Sequence, residues 1–243
     1  MNLHQMVGNT VRPVALALEH KALLRGFIGR EVKGRFAGSM AGMAWALLNP
    51  LATMLVYMFV FSMVIRVQVT AQETGTDSFF IYFITGFVPW IIFSESVIRA
   101  TGSLLDNASL ITKVVFPVEL LPITAVFSGL LINGLGIVLI LVYLSGQGFL
   151  SPMWLGILLI LPLQVLFTMG LSFLFSALCV YLRDLREMIG LIFMVWFFTT
   201  PVIYPLSMVP NKAEAIIQMN PMYVFVVVYR KLLLVHELDL NLI

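Results

Sequence analysis

The segment from Leu120 to Leu182 limits the possible folds of this chain most, because it contains no Asp, Glu, Lys or Arg over more than sixty residues. An apolar helix needs about 20 residues to cross the hydrocarbon layer of a bilayer. The main polar interruption is Ser145–Gly148, followed by Ser151 and Pro152. The segment therefore predicts two membrane spans joined by a short turn, and an all-α membrane protein that crosses the bilayer several times.

The composition supports a membrane protein. Hydrophobic residues make up 60% of the chain, charged residues make up 11%, and the mean hydropathy is +1.02. Soluble domains are about 45–50% apolar and about 25% charged. A net charge of +2 gives no reason to expect nucleic acid as a partner. The single cysteine, Cys179, excludes an intramolecular disulfide.

Apolar windows predict a short cytoplasmic segment, residues 1–35, followed by a membrane domain, residues 36–243. The predicted spans are 36–65, 79–99, 120–144, 153–182 and 188–203. A further apolar stretch, Ala215–Tyr229, is short and is interrupted by Asn220 and Pro221. We therefore predict a re-entrant helical hairpin over residues 201–229, where protein or a wet cavity satisfies the backbone.

The distribution of Lys and Arg predicts the orientation. With the N-terminus in the cytoplasm, ten of the 14 Lys and Arg residues fall on the inner side. These are Arg12, Lys21, Arg25, Arg30, Lys33, Arg35, Arg99, Lys113, Arg183 and Arg186, and the outer side holds Arg66, Lys212, Arg230 and Lys231. The positive-inside rule favours this arrangement.

Three cytoplasmic pieces have distinct patterns. Residues 13–35 mix apolar side chains with cations, which is typical of a helix in the interface plane, although a basic flank that only sets topology has a similar pattern. Ala100–Val114 predicts a short helix that is capped by Ser103 and docks on a soluble partner. Arg183–Glu187 is a charged turn that serves either for docking or only as a solvated stop.

Signals of enzyme chemistry are scarce. Gly29–Phe36 resembles a phosphate loop only superficially, since it lacks the required Lys and the Ser or Thr that follows it. The three histidines are far apart and match no metal-ligand spacing. We therefore expect no catalytic residues, no metal and no cofactor on this chain. Glu95 and Arg99, four residues apart in a predicted span, are expected to pair with each other.

Three groups of motifs occur in a fixed order along nearly the whole chain. The first is Arg30–Ser39 with Trp45–Pro50; the second is Gly86–Trp90, Asn107–Lys113 and Phe116–Pro122; the third is Tyr181–Asp184, Thr200–Pro205 and Asn220-Pro221. Together they resemble the permease subunit of the type-2 ABC exporters, in the branch that exports O-antigen, capsule or teichoic acid.

The resemblance implies a transport subunit with several partners. A second copy of the chain would form a channel walled mainly by spans one, two and five, and two ABC ATPase subunits would bind ATP and Mg²⁺. The substrate would be a lipid-linked polysaccharide that leaves the cytoplasm through the bacterial inner membrane. Residues 100–114 correspond to the family's coupling helix, 13–33 to its interface helix and 201–229 to its outer gate. The family has a sixth span, whereas the chain stops at Ile243; either the sequence is shortened or the last span is absent, and we expect truncation.

The resemblance and the residue types together give three sets of candidate site residues. Cations that would receive the substrate's phosphates are Arg25, Arg30, Lys33 and Arg35. Candidates for the channel and outer gate are Tyr57, Phe61, Trp90, Trp196, Phe197, Phe198, Thr199, Thr200 and Tyr204. Candidates for ATPase coupling are Ser103, Leu104, Leu105, Asp106, Asn107, Arg183 and Asp184.

Alternatives exist at both levels. Tyr57 and Phe61 would instead face lipid, and tryptophans such as Trp90 and Trp196 ordinarily favour the membrane interface. Among functions, the nearer alternative is a type-2 exporter of a drug or a lipid. The more distant one is a membrane-embedded glycosyltransferase or ligase, for which the sequence shows neither soluble-facing acids nor a large outer domain.

Overall fold

The computed structural model of the chain describes residues 19–236, which are helical apart from turns and short loops. The α-helices are α1 (Lys21–Phe36), α2 (Trp45–Tyr57), α3 (Ala71–Thr74), α4 (Phe79–Asp106), α5 (Ala108–Lys113), α6 (Leu120–Gly146), α7 (Ile157–Tyr181), α8 (Leu185–Thr199), α9 (Asn211–Gln218) and α10 (Pro221–Arg230). α2 continues as a π-helix over Met58–Val64, and α10 continues over Lys231–Val235. Turns of 3₁₀-helix occupy Gly42–Ala44, Pro152–Gly156 and Leu206–Met208.

Within residues 19–236, four helical stretches are long and apolar enough to cross a membrane. They are Gly42–Val64, Ala71–Asp106, Leu120–Gly146 and Pro152–Tyr181. Each coincides with one of the first four predicted spans. The first begins at Gly42 rather than at residue 36, because α1 ends at Phe36 and Gly38 takes a left-handed conformation with φ +79°, which glycine adopts without steric cost.

The predicted fifth span, 188–203, corresponds to α8 but has different bounds. α8 has 15 residues, or about 22 Å at about 1.5 Å per residue, which is short against a hydrocarbon layer of about 30 Å. It ends at Thr199 because Thr200 precedes Pro201 and is extended, with ψ 130°, as residues before proline usually are. A crossing in this region stays a prediction.

Helix α4 is the centre of the bundle. It packs against α6, α7, α8 and α10; the most apolar window of its span is 83% buried, while none of the corresponding window of Gly42–Val64 is buried. Two glycines permit the close approach. A Cβ at Gly129 of α6 would overlap Ser96 of α4, and one at Gly86 of α4 would meet Arg230 and Val226 of α10.

The boundary predicted between the second span and the coupling helix is wrong. α4 continues without a break to Asp106, and Ser103 lies inside it, where its hydroxyl donates to the carbonyl of Ala100 at 2.7 Å. The short helix is α5, and its N-cap position is Asn107. No proline interrupts residues 100–106, so the helix extends beyond the apolar window that marked the predicted span.

Helix α1 lies against the membrane helices and not apart from them. Leu24 is buried against Leu120 and Ile123 of α6, with Phe27 and Ile28 beside it. Lys21 and Arg25 are exposed. Leu23, beside them, is 45% exposed, so α1 does not divide cleanly into an apolar and a charged face, and an amphipathic helix in the interface plane stays a prediction.

Candidate functional site

A cluster of charged side chains joins α1 to α4. Arg35 of α1 pairs with Glu95 of α4, and Glu31 of α1 pairs with Arg99 of α4 at 3.9 Å. Because the two residues on each helix are four apart, crossed pairs of this kind form where two helices run in opposite directions. The prediction that Glu95 and Arg99 pair with each other is therefore wrong, since each finds its ion-pair partner on α1.

The cluster extends to a third helix. Asn133 of α6 donates its amide hydrogen to the Glu95 carboxylate at 3.2 Å, so this carboxylate joins three helices. Burial raises the pKa of the Glu31 carboxyl, while the positive charge of Arg99 lowers it, and burial is the larger effect. For Glu31, the ion pair with Arg99 therefore offsets only part of the free energy that burial costs the charged carboxylate.

The four cations predicted to receive substrate phosphates do not form one group. At about 100° per residue, Arg25, Arg30 and Lys33 fall within an arc of about 140° on α1, and Arg35 lies on the other side. Arg30 is exposed and donates to Asn107 at 3.5 Å, while Arg25 and Lys33 are also exposed. Arg35 is engaged by Glu95, so its observed contact is with another helix of the same chain.

Two of the segments predicted to couple to the ATPase lie side by side. Arg186, at the start of α8, pairs with Asp106, at the end of α4, at 2.7 Å, and both side chains are 50% exposed. Arg183 and Asp184 in the same turn are also exposed. The structure therefore places the end of α4, where α5 begins, next to the turn between α7 and α8, on a charged and accessible surface.

The predicted channel aromatics separate into buried and accessible groups. Trp90 is 5% exposed and Phe197 is 4% exposed; their ring centroids are 5.5 Å apart, and those of Phe197 and Tyr57 are 5.1 Å apart. Trp90 thus lies in the core of the helix bundle. Phe61 is half-buried against the same core. Within one chain these rings pack on one another, and Trp90 and Phe197 leave little surface for a substrate.

The accessible group surrounds a cavity of about 440 Å³ at the end of α8. Four candidates line it: Trp196, Phe198, Thr199 and Tyr204. The other candidate here, Thr200, is fully buried behind them.

Asn220 fixes the shape of this cavity. Its side-chain oxygen accepts from the Trp196 indole at 2.8 Å and from the Met222 backbone N–H at 3.0 Å, which caps α10. Its amide donates to the Thr200 hydroxyl at 2.8 Å. In the sequence, Asn220 interrupts an apolar stretch and, with Pro221, forms part of the third motif. The structure shows that it also connects α8 to α10.

Arg230 is the residue that sequence reasoning missed, since it was assigned to the outer side among the loop cations. It is buried, and its guanidinium donates to Pro201 O at 2.6 Å, Val202 O at 2.8 Å and the Tyr82 hydroxyl at 2.9 Å. The guanidinium also lies 3.7 Å from the centre of the Tyr82 ring. No carboxylate in residues 19–236 lies within 4.0 Å of it. An arginine inside an apolar stretch was the available signal.

These features define a multi-pass helical membrane protein whose polar contacts join helices. Residues 19–236 contain no group of three or more His, Cys, Asp or Glu residues able to hold a metal ion. Residues 23–234 match the family described as ABC-2 type transporter. The chain belongs to that family, as its sequence motifs indicate.

Individual relatives cover most of the chain. It is 33% identical, over 94% of its length and 86% of the relative's, to the O-antigen export system permease protein RfbA of Myxococcus xanthus. It is 35% identical, over 84% of its length and 76% of the relative's, to a protein of the same name from Klebsiella pneumoniae. It is 24% identical, over 79% of its length and 74% of the relative's, to the polysialic acid transport protein KpsM of Escherichia coli.

Proposed function

We propose that this chain is the membrane subunit of an ABC exporter that moves a lipid-linked, O-antigen-like polysaccharide from the cytoplasm to the outer face of the bacterial inner membrane. The observation that carries the proposal is the similarity over most of its length to permeases named for O-antigen export. Two ATPase chains bind and hydrolyse ATP with Mg²⁺, and a second copy of this chain completes the channel. The N-terminus is cytoplasmic, in agreement with the positive-inside rule.

The accessible surface near Asp106 and Arg186 supports a coupling role for that end of the bundle. α4 is a single 28-residue helix that begins beside Arg230 and ends at this surface. A displacement of α5 by the ATPase would therefore reach α4 directly. The crossed pairs with Glu31 and Arg35 would pass the same displacement to α1.

The exposed helices support a channel between two copies. The helix Gly42–Val64 has no buried residue in its most apolar window, and α8 exposes Leu191, Met194 and Val195. Because α4 is enclosed by its own chain, we assign the channel wall to α2 and α8, without α4. The cavity beside Trp196 and Tyr204 would give the glycan an aromatic surface on which sugar rings stack.

Deletion and complementation test this function. In cells that lack the chain, glycan should accumulate in the cytoplasm, and the wild-type chain should restore export and co-purify with its ATPase. ATP hydrolysis or glycosidic bond formation by the purified chain alone would refute the proposal. Normal glycan export with a loss of drug resistance would identify a drug exporter instead.

A further inference from the structure

The cavity at the end of α8 has no charged side chain among the described residues of its walls. Its volume of about 440 Å³ is within the range of about 300–1,000 Å³ usual for ligand pockets. None of the described residues that line it is Asp, Glu, Lys or Arg. Lys212 and Glu214 belong to α9 beside it, but neither lines the cavity. A charged group that enters the cavity therefore meets no counter-ion among these residues.

The side-chain donors in these walls are already used. The indole N–H of Trp196 donates to Asn220 Oδ1 at 2.8 Å. The Thr199 hydroxyl donates to Trp196 O at 2.9 Å. The Tyr204 hydroxyl donates to Phe198 O at 2.8 Å. The Asn220 amide donates to a neighbouring hydroxyl at 2.8 Å and to Thr199 O at 3.5 Å. These side chains keep no N–H or O–H for a bound anion.

The hydroxyl oxygens in the walls can still accept hydrogen bonds. A hydroxyl oxygen has two lone pairs, so the oxygens of Thr199 and Tyr204 can accept while their hydrogens donate. The hydroxyl groups of a sugar donate to such oxygens, whereas an ionised carboxylate can only accept. The hydrogen-bonding groups of the cavity therefore complement a neutral, hydroxyl-bearing ligand and not an anion.

The aromatic faces in the walls act in the same direction. Trp196 and Phe198 line the cavity, and an aromatic ring carries partial negative charge over its face. Such a face attracts the C–H groups of a sugar ring and repels an anion. Trp196 is also held by hydrogen bonds at its indole and at its carbonyl, so a ligand has to order little of this wall when it binds.

We propose that this cavity selects uncharged sugar units and excludes acidic ones, an inference that rests on the proposed export of a glycan. An uncharged sugar ring lies with its C–H groups against Trp196 and Phe198 and donates hydroxyl hydrogens to Thr199 and Tyr204. A uronic acid would bring a carboxylate to negative aromatic faces with no free side-chain donor, and an unpaired charge is costly to remove from water. A sugar with an ammonium group would lack a partner too, because no described carboxylate lines the walls.

Two tetrasaccharides that differ only at C6 test this selection: a glucose tetramer and the glucuronic acid tetramer with the same linkages. Isothermal titration calorimetry measures their binding to the full chain with its ATPase in phosphatidylcholine nanodiscs, whose lipids carry no net charge. We expect the neutral tetramer to bind at least about tenfold more tightly than the acidic one. Trp196→Ala should weaken binding of the neutral tetramer about tenfold, because the stacking face is lost.

A cation placed at the edge of the cavity should produce a gain that a misfolded chain cannot show. Ile216 of α9 lines the cavity and is 71% exposed, so Ile216→Arg adds a positive charge to its wall. We expect this variant to bind the acidic tetramer about tenfold more tightly than wild type does. Leu158→Arg is the matched control, since Leu158 is 73% exposed on α7 and does not line the cavity. It should leave the ratio of the two affinities unchanged.

Several results would overturn the proposal. They are equal binding of the two tetramers by wild type, unchanged neutral binding by Trp196→Ala, and equal gains in Ile216→Arg and Leu158→Arg. Failure of both tetramers to bind would also overturn it and would leave the cavity to a lipid chain. The transport function is tested separately, by glycan export in complemented cells, so its failure is distinguishable from a failure of the charge selection.

Discussion

Replacement of Arg230 by methionine tests whether a buried guanidinium holds the opposite end of the bundle together. Methionine keeps an apolar side chain of similar length but removes every donor. The carbonyls of Pro201 and Val202 then lose the guanidinium hydrogen bonds of 2.6 and 2.8 Å. The Tyr82 hydroxyl retains its hydrogen bond to Tyr204 O at 2.7 Å, so removal of the guanidinium costs this group less free energy than it costs the two carbonyls.

Two opposing energies set the magnitude. A buried carbonyl left without a donor costs about 1–3 kcal/mol. Val202 O loses its donor, and Pro201 O keeps only a long contact with the Tyr82 hydroxyl at 3.4 Å, so the loss for the pair is at most about 6 kcal/mol. The variant also removes the desolvation cost of a buried charge, which can reach several kcal/mol when no opposite charge compensates it. The cation–π contact of Arg230 with Tyr82 at 3.7 Å contributes about 2 kcal/mol when desolvated, so we expect a net destabilisation of about 2–5 kcal/mol.

Unfolding in mixed detergent micelles, followed by tryptophan fluorescence, measures this change. Arg183→Met is the control, because Arg183 is exposed in the turn between α7 and α8 and its loss should change the unfolding free energy by less than about 0.5 kcal/mol. Arg230→Lys should be destabilised too, since a point charge lacks the planar fork that reaches two neighbouring carbonyls. Unchanged or increased stability of Arg230→Met would refute the reasoning, because desolvation would then outweigh the hydrogen bonds.

Three further predictions concern the charged end of the bundle. Arg35→Glu should destabilise the chain in the same unfolding assay and reduce export. The charge exchange Arg35→Glu with Glu95→Arg should restore part of the stability and part of the export, with a coupling energy of about 0.5–3 kcal/mol. A double variant no better than the single variants would contradict the ion pair. Arg186→Glu should weaken co-purification with the ATPase without changing unfolding, and adding Asp106→Arg should recover it; normal co-purification of Arg186→Glu would count against a docking surface there. Burial raises the pKa of the Glu31 carboxyl in the folded chain. Its contribution to stability is therefore fully present below the unfolded pKa of about 4.3 and is lost as pH rises through the raised folded value. The unfolding free energy of wild type should increase relative to that of Glu31→Gln as pH falls from 7 toward 4.5, and parallel pH profiles would contradict this.

The sequence alone determined the helical class, the first four spans and the family. Each depends on local or linear information: a span needs about 20 apolar residues in a row, and the motifs are read in chain order.

Only the tertiary structure decided which polar residues meet. Glu95 and Arg99 satisfy the four-residue spacing for mutual pairing, yet α1 supplies a better-placed partner for each. Ser103 has the residue type of a helix cap but lies inside a longer helix. Arg230 has the appearance of a loop cation, yet it binds carbonyls about thirty residues earlier in the chain. Hydropathy describes how each residue interacts with its solvent, whereas these contacts depend on which helices approach one another, and that information is absent from any single window of sequence.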